Sequence, residues 1–144
     1  MLIQVAAGLF IASINIVIHA WLTVATIRVV RGASEKRRVH PWLHLVGVMI
    51  ATVLLLMVAH TLEVFVWSTA YAVLDVASED TDLVYFAFVN YTTLGYGDIT
   101  PVARWRLLGP ITAMNGVLLF GWSTAVIFEV LRKTISQHTS FASS

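Results

Sequence analysis

Hydrophobic positions along this chain fall into three long runs and one short run, and the polar positions collect in the gaps between them. Met1 to Ile27 contains no charged residue, and a helix needs about 20 apolar residues to cross a hydrocarbon core. Trp42 to Leu74 forms a second run, 33 residues long, and Leu107 to Phe128 a third, 22 residues long and free of charge. Each predicts a transmembrane helix. Between the second and third, Asp82 to Thr92 is apolar but too short to span. It predicts a re-entrant half-helix, tolerated at membrane depth only where it is buried in protein or lines a water-filled cavity. The expected fold class is therefore an all-α membrane protein with three transmembrane helices and one re-entrant helix.

The gaps orient these elements. Residues 31–41 run Arg-Gly-Ala-Ser-Glu-Lys-Arg-Arg-Val-His-Pro, and with Arg28 they hold five of the nine Lys and Arg residues. Basic loops stay in the cytoplasm, which predicts a cytoplasmic loop here, with Lys36, Arg37 and Arg38 anchoring topology or meeting anionic lipid. Asp75 to Asp82 carries Asp75, Glu79, Asp80 and Asp82 without a balancing cation and is expected outside. Thr81 or Asp80 is the expected N-cap of the short helix, with Asp82 complementing its dipole in the first turn. Arg132 and Lys133 close the third span on the cytoplasmic side. The predicted layout is a first helix over 1–30, a loop over 31–41, a second helix over 42–74, the short helix over 82–92, a third helix over 107–133, and a disordered cytoplasmic tail over 134–144. The first run is expected to be a retained helix, because a basic leader and a small-residue cleavage site are both missing around it, and its N-terminus is expected outside, because the basic loop that follows it is cytoplasmic.

Composition agrees, with 58% hydrophobic and 12% charged residues, where an average soluble domain has roughly one quarter charged. A net charge of +1 gives no electrostatic footprint for nucleic acid. Zero cysteines exclude disulfides and thiolate metal sites. Gly95-Tyr96-Gly97 lacks the further glycine and the strand-to-helix context of a dinucleotide loop, and no nucleophile is paired with a base. An enzyme and an organic cofactor are therefore not expected.

The chemistry is concentrated in Tyr91-Thr92-Thr93-Leu94-Gly95-Tyr96-Gly97-Asp98-Ile99-Thr100-Pro101. Gly95 and Gly97 accept positive φ freely, so neighbouring carbonyls can be turned toward one axis. Glycine and aspartate also favour ordinary turns. The two threonines, the apolar half-helix before them and the spans on either side distinguish this stretch from a turn.

Thr93 to Asp98 resembles the TVGYGD signature of the potassium channel pore family, with Leu94 where that family most often has Val. The resemblance runs over roughly 80–130 and does not reach the N-terminal third. It implies that the short helix is a pore helix and that 93–98 is a selectivity filter. Thr93 is then expected to offer hydroxyl and carbonyl to the innermost K⁺, while Leu94, Gly95 and Tyr96 offer carbonyls and Gly97 and Asp98 form the outer mouth. A tetramer, passive K⁺ conduction and a prokaryotic plasma membrane are also implied. Filter support is expected from Thr92 and from Tyr85, the latter by a hydrogen bond to Asp98. Within channels the alternative is a weakly selective cation pore, and outside them a non-conducting subunit of a channel complex. No helix repeats Arg every third residue, so voltage sensing of that type is not expected.

Other polar positions inside the spans each have two readings. Thr112, Asn115, Gly116, Leu119 and Ser123 share one helical face, which lines a wet cavity or packs on a neighbouring helix. Gly116 and Gly121 are candidate hinges for an inner gate. His60 and Glu63, spaced i, i+3, form a structural pair or a pH-sensitive one, being too few ligands for a metal. Gln4, Asn15 and His19 are expected to hydrogen-bond to neighbouring helices. Glu129 is expected to pair with Arg132.

Overall fold

The computed structural model describes residues 1–34 and 41–142. The basic cluster Lys36, Arg37 and Arg38 lies outside them. The order is α1 (Leu2–Ser34), α2 (Pro41–Val73), α3 (Leu83–Tyr91), a single 3₁₀ turn (Ala103–Trp105) and α4 (Leu108–Ala142). No strand occurs among the described residues. Three segments, Leu2–Val29, Trp42–Val73 and Ala103–Ser136, are long and apolar enough to cross a membrane. Short α3 is the re-entrant element predicted between them.

The helix ends follow from local chemistry. α2 closes in a Schellman motif, in which Val76 N–H donates to Tyr71 O at 3.0 Å, Asp75 N–H donates to Ala72 O at 3.3 Å, and Asp75 takes the left-handed position at φ 50. The motif drops Val76 into the core, where it is fully buried. Val76 O then accepts from Val102 N–H at 2.8 Å, which ties the chain leaving the glycine loop back to the end of α2. α3 is capped by Asp82 itself, whose carboxylate accepts from Tyr85 N–H at 3.0 Å, and not by Thr81 or Asp80. Ser78 and Thr81 instead bond to each other through their hydroxyls.

Two boundaries differ from the sequence reading. α1 continues through Arg28 and Gly32 to Ser34, since neither residue obliges a stop. α4 runs on to Ala142, so the expected disordered tail is helical over 134–142. No Gly or Pro interrupts this end of α4, and its hydroxyls fold back onto the helix, Thr134 Oγ1 on Val130 O and Ser136 Oγ on Lys133 O.

The core gathers around α3. Tyr71, Trp67, Val76, Phe86, Tyr91 and Leu108 are almost wholly buried there. α1 packs on both α2 and α4, and Gln4 Oε1 accepts from Leu107 N–H at 3.0 Å, capping the start of α4. Pro110 sits in that first turn, where a missing N–H costs nothing. The closest approach is at Gly116, where an added Cβ would lie 2.0 Å from Tyr91 O, whereas a Cβ on Gly121 meets nothing within 4 Å. Gly116→Ala is therefore expected to destabilise by about 1–3 kcal/mol through overpacking, while Gly121→Ala leaves stability level or up by about 1 kcal/mol. Thermal unfolding of the two variants in detergent checks this pair.

Candidate functional site

Beyond α3 the backbone alternates in handedness. Thr93 has φ 61, Gly95 φ 61 and Gly97 φ 78, while Leu94 and Tyr96 between them stay at negative φ. Alternating left- and right-handed residues turns successive peptides to the same side, so N–H groups line one edge of the strip and carbonyls the other. The N–H edge faces α3. Thr92 N–H donates to Phe88 O at 2.9 Å, Thr93 N–H to Asn90 O at 3.0 Å, and Leu94 and Gly95 N–H both reach Val89 O at 3.0 and 3.5 Å. Among the described residues, no N–H or side-chain donor bonds to the carbonyls of Thr93 through Gly97. The strip thus has N–H groups satisfied by α3 at Thr93, Leu94 and Gly95, and a bare, electronegative carbonyl edge.

Thr93 is the unexpected member. A β-branched residue at positive φ is a genuine outlier, and the left-handed region costs an L-residue about 1–2 kcal/mol. Glycine content pointed to positions 95 and 97, and nothing in a threonine announces the same conformation. Thr93 takes it because the alternation begins there, one residue after Thr92 closes α3.

The strip is exposed on the single chain, with Tyr96 67% and Leu94 53% exposed. At its far end Tyr85 Oη donates to Asp98 Oδ2 at 2.7 Å, and Asp98 Oδ1 accepts from Ile99 N–H at 3.1 Å. The Asp98 carboxylate holds the Tyr85 phenol above its ordinary value near 10, because it bonds the protonated hydroxyl and repels the phenolate. Thr92 Oγ1 bonds back to Phe88 O at 2.7 Å. Of the aromatics on α3, Phe86 and Tyr91 belong to the core, while Tyr85 and Phe88 are about one third exposed.

The polar face of α4 does not line a cavity in this chain. Thr112, Asn115, Leu119 and Ser123 are buried because each has a partner within the fold. Tyr71 Oη and Thr112 Oγ1 lie 2.6 Å apart, Trp67 Nε1–H donates to Asn115 Oδ1 at 3.0 Å, and Ser123 Oγ meets His60 Nε2 at 2.8 Å. Leu119 is buried on the same face, and Gly116 is where Tyr91 O presses in rather than a free hinge. Gly121 lies on the opposite, exposed face with Met114, Val117, Leu118 and Phe128.

His60 and Glu63 do pair, at 3.0 Å, and the pair is not isolated. His19 from α1 reaches Glu63 Oε1 through Nδ1 at 2.8 Å, and Tyr91 Oη donates to Glu63 Oε2. His19 was read above only as a helix-contact residue. The signal that would have found it is the spacing of Asn15, His19, Thr23 and Thr26, a polar stripe on one face of an otherwise apolar helix, buried throughout. At the ends of the molecule, Arg104 faces Asp75 at 3.7 Å, and Glu129 bonds both Arg132 and Lys133 at 2.8 and 3.0 Å. Such exposed pairs stabilise by about 0–1 kcal/mol.

A family model described as an ion channel matches residues 45–133, which is more than half of the chain and includes α2, α3, the glycine strip and most of α4. Comparison with curated proteins and with solved structures gives no match.

Backbone strain and alkaline behaviour are both measurable at this strip. Gly95→Ala and Gly97→Ala should each lower stability by about 1–2 kcal/mol, and Thr93→Gly should raise it by up to about 1 kcal/mol, read from thermal unfolding. Because the folded Tyr85 hydroxyl deprotonates later than a free one, its contribution is complete below the ordinary tyrosine range. That contribution is lost as pH rises through the elevated value. Asp98→Asn should return one of the four tyrosines to ordinary titration in the ultraviolet and remove that alkaline loss of stability.

Proposed function

Since the chain belongs to the ion channel family, we propose that it is a potassium-selective channel, a homotetramer whose pore is ringed by four copies of the strip from Thr93 to Gly97. The observation that carries this reading is the bare carbonyl edge beside the N–H groups of Thr93, Leu94 and Gly95, which α3 satisfies. A cation that leaves water needs oxygens at fixed positions to replace its hydration shell, and a row of backbone carbonyls supplies them. Thr93 contributes its hydroxyl and carbonyl to the innermost K⁺, Leu94, Gly95 and Tyr96 contribute carbonyls, and Gly97 with Asp98 forms the mouth. α3 directs the negative end of its dipole toward the inner entrance, which favours a cation there.

One chain provides one wall of a pore. Closure requires symmetry-related copies around an axis, and the exposure of Leu94 and Tyr96 supports a neighbouring chain against them. Four is the number that the potassium-channel resemblance implies. The basic residues at the ends of the spans support a cytoplasmic C-terminus and an outer face carrying the acidic loop, the N-terminus and the Asp98 mouth. The Arg104 and Asp75 pair sits on that outer side. The protein then resides in a plasma membrane, surrounded by lipid, with K⁺ as its transported partner and no organic cofactor.

The test is flux through purified protein in liposomes, with native mass spectrometry of the assembly. A K⁺ gradient should drive ⁸⁶Rb⁺ uptake, bi-ionic reversal potentials should favour K⁺ over Na⁺ by roughly tenfold or more, equal to about 1.4 kcal/mol of discrimination, and Gly95→Ala should abolish both. Equal K⁺ and Na⁺ permeability would leave a weakly selective cation pore. No flux under any lipid or voltage would make the chain a non-conducting subunit.

A further inference from the structure

Glu63 is fully buried within α2 at membrane depth, and the basic partners that reach its carboxylate are His19 and His60. The described Lys and Arg ion pairs are elsewhere, on Asp75 and Glu129. A carboxylate removed from water demands a compensating positive charge as well as hydrogen bonds. Three groups, one from each of three helices, converge on it. His19 Nδ1 is 2.8 Å from Oε1, His60 Nδ1 is 3.0 Å from Oε2, and Tyr91 Oη bonds Oε2 while lying 2.9 Å from His60 Nδ1. The ligand atoms of His19, His60 and Glu63 all fall within 4.8 Å of one another. Two imidazoles, one carboxylate and one further oxygen are a set that Zn²⁺ takes in tetrahedral geometry, with bonds of about 2.0–2.2 Å that place ligands roughly 3.4 Å apart. The separations of Glu63 from His19 and His60 and of His60 from Tyr91, at 2.8, 3.0 and 2.9 Å, lie within about 0.6 Å of that spacing.

The outward nitrogens give an independent argument. His60 Nε2 and His19 Nε2 both face Ser123 Oγ, at 2.8 and 3.4 Å. A serine hydroxyl offers one hydrogen and two lone pairs. With neutral rings and both Nδ1 atoms protonated toward Glu63, both Nε2 atoms need a donor, and Ser123 can supply one. With both Nδ1 atoms on a metal, both rings carry their proton on Nε2, and the one oxygen accepts from both. Metal-bound histidines are commonly oriented this way, by donating their second N–H to an oxygen.

We propose that His19, His60, Glu63 and Tyr91 form an intramembrane Zn²⁺ site, oriented by Ser123, that clasps α1 to α2 and to the end of α3. The histidines bind as neutral rings after the proton moves from Nδ1 to Nε2. Tyr91 binds as phenolate, releasing its proton to solvent, so that Zn²⁺, carboxylate and phenolate sum to zero charge in the low-dielectric interior. Imidazole and carboxylate ligands without sulfur select Zn²⁺ over soft metals such as Cu(I). The site goes beyond the channel reading and stands without it.

The test uses the full chain in lipid nanodiscs, purified without a polyhistidine tag and with His40, His44 and His138 replaced by Gln, so that His19 and His60 are the remaining histidines of the five. Elemental analysis after dialysis in trace Zn²⁺ should find about one Zn per chain, and Co²⁺ should give the visible absorption of a tetrahedral site. Glu63→Gln and His19→Gln should abolish both signals, and Ser123→Ala should weaken Zn²⁺ binding by about 10–100-fold. Should a ligand variant fail to fold, the parent protein and Ser123→Ala decide the matter. Less than about 0.1 Zn per chain together with no Co²⁺ band and no stabilisation by Zn²⁺ would overturn the proposal and assign the compensating charge to an imidazolium.

Discussion

A bilayer interior offers no water to an unpaired backbone group, and among the described residues the strip after α3 meets that demand only in part. Helices satisfy it within themselves. The strip from Thr93 to Gly97 cannot, because alternating handedness prevents any helical ladder. The N–H groups of Thr93, Leu94 and Gly95 are answered by the last carbonyls of α3, which a helix terminus leaves without partners. Two deficits cancel: donors that the strip cannot satisfy internally meet acceptors that α3 cannot satisfy internally. What remains is a row of carbonyl oxygens, which a cation can satisfy and a lipid chain cannot.

Holding that row in place requires both of its ends and its back to be fixed. The end next to α3 is fixed by Tyr91, pinned through its hydroxyl to Glu63 and through its backbone against Gly116. The far end is fixed twice, by Tyr85 on Asp98 and by Val102 N–H on Val76 O, the residue that the Schellman motif of α2 buries. Behind α3, Tyr71 with Thr112 and Trp67 with Asn115 replace solvent around polar atoms of the span. Interhelical hydrogen bonds in membranes are individually worth about 0.6 kcal/mol, so these fix register more than they add stability. Their directionality is what an apolar interface lacks, and it holds the row of carbonyls in one position.

The spans, the re-entrant helix and the glycine strip were legible in the sequence because each rests on composition over many residues or on glycine's freedom from a Cβ. Polar side chains inside the spans were harder to read. The face of Thr112, Asn115 and Ser123 fits a wet cavity and a helix contact equally well by periodicity, since both need small polar groups at the same spacing. Burial against Tyr71, Trp67 and His60 selects the contact. Thr93 at positive φ was illegible because the strain is imposed by its neighbours and opposes its own preference. The helical continuation past Thr134 was missed because serine and threonine read as tail residues, although in apolar surroundings their hydroxyls bond back to the helix and cease to compete with it.

The N-terminal helix shows how far the family match and the folding unit diverge. The match begins at residue 45, after α1 has ended, yet α1 supplies Gln4 to the start of α4, Asn15 to Asn115 and to Glu63 O, and His19 to the Glu63 carboxylate. Remove α1, and Glu63 and Asn115 lose partners on the side that α1 now covers, where hydrocarbon would replace it. An ionised carboxylate facing lipid is among the costliest placements a span can have. Glu63 in turn holds Tyr91, one residue before the strip's backbone departs from helix. The carboxylate that positions the carbonyl row is therefore tenable in this chain because a helix outside the matched module shields it, and α1 belongs to the pore unit physically even though the family pattern does not include it.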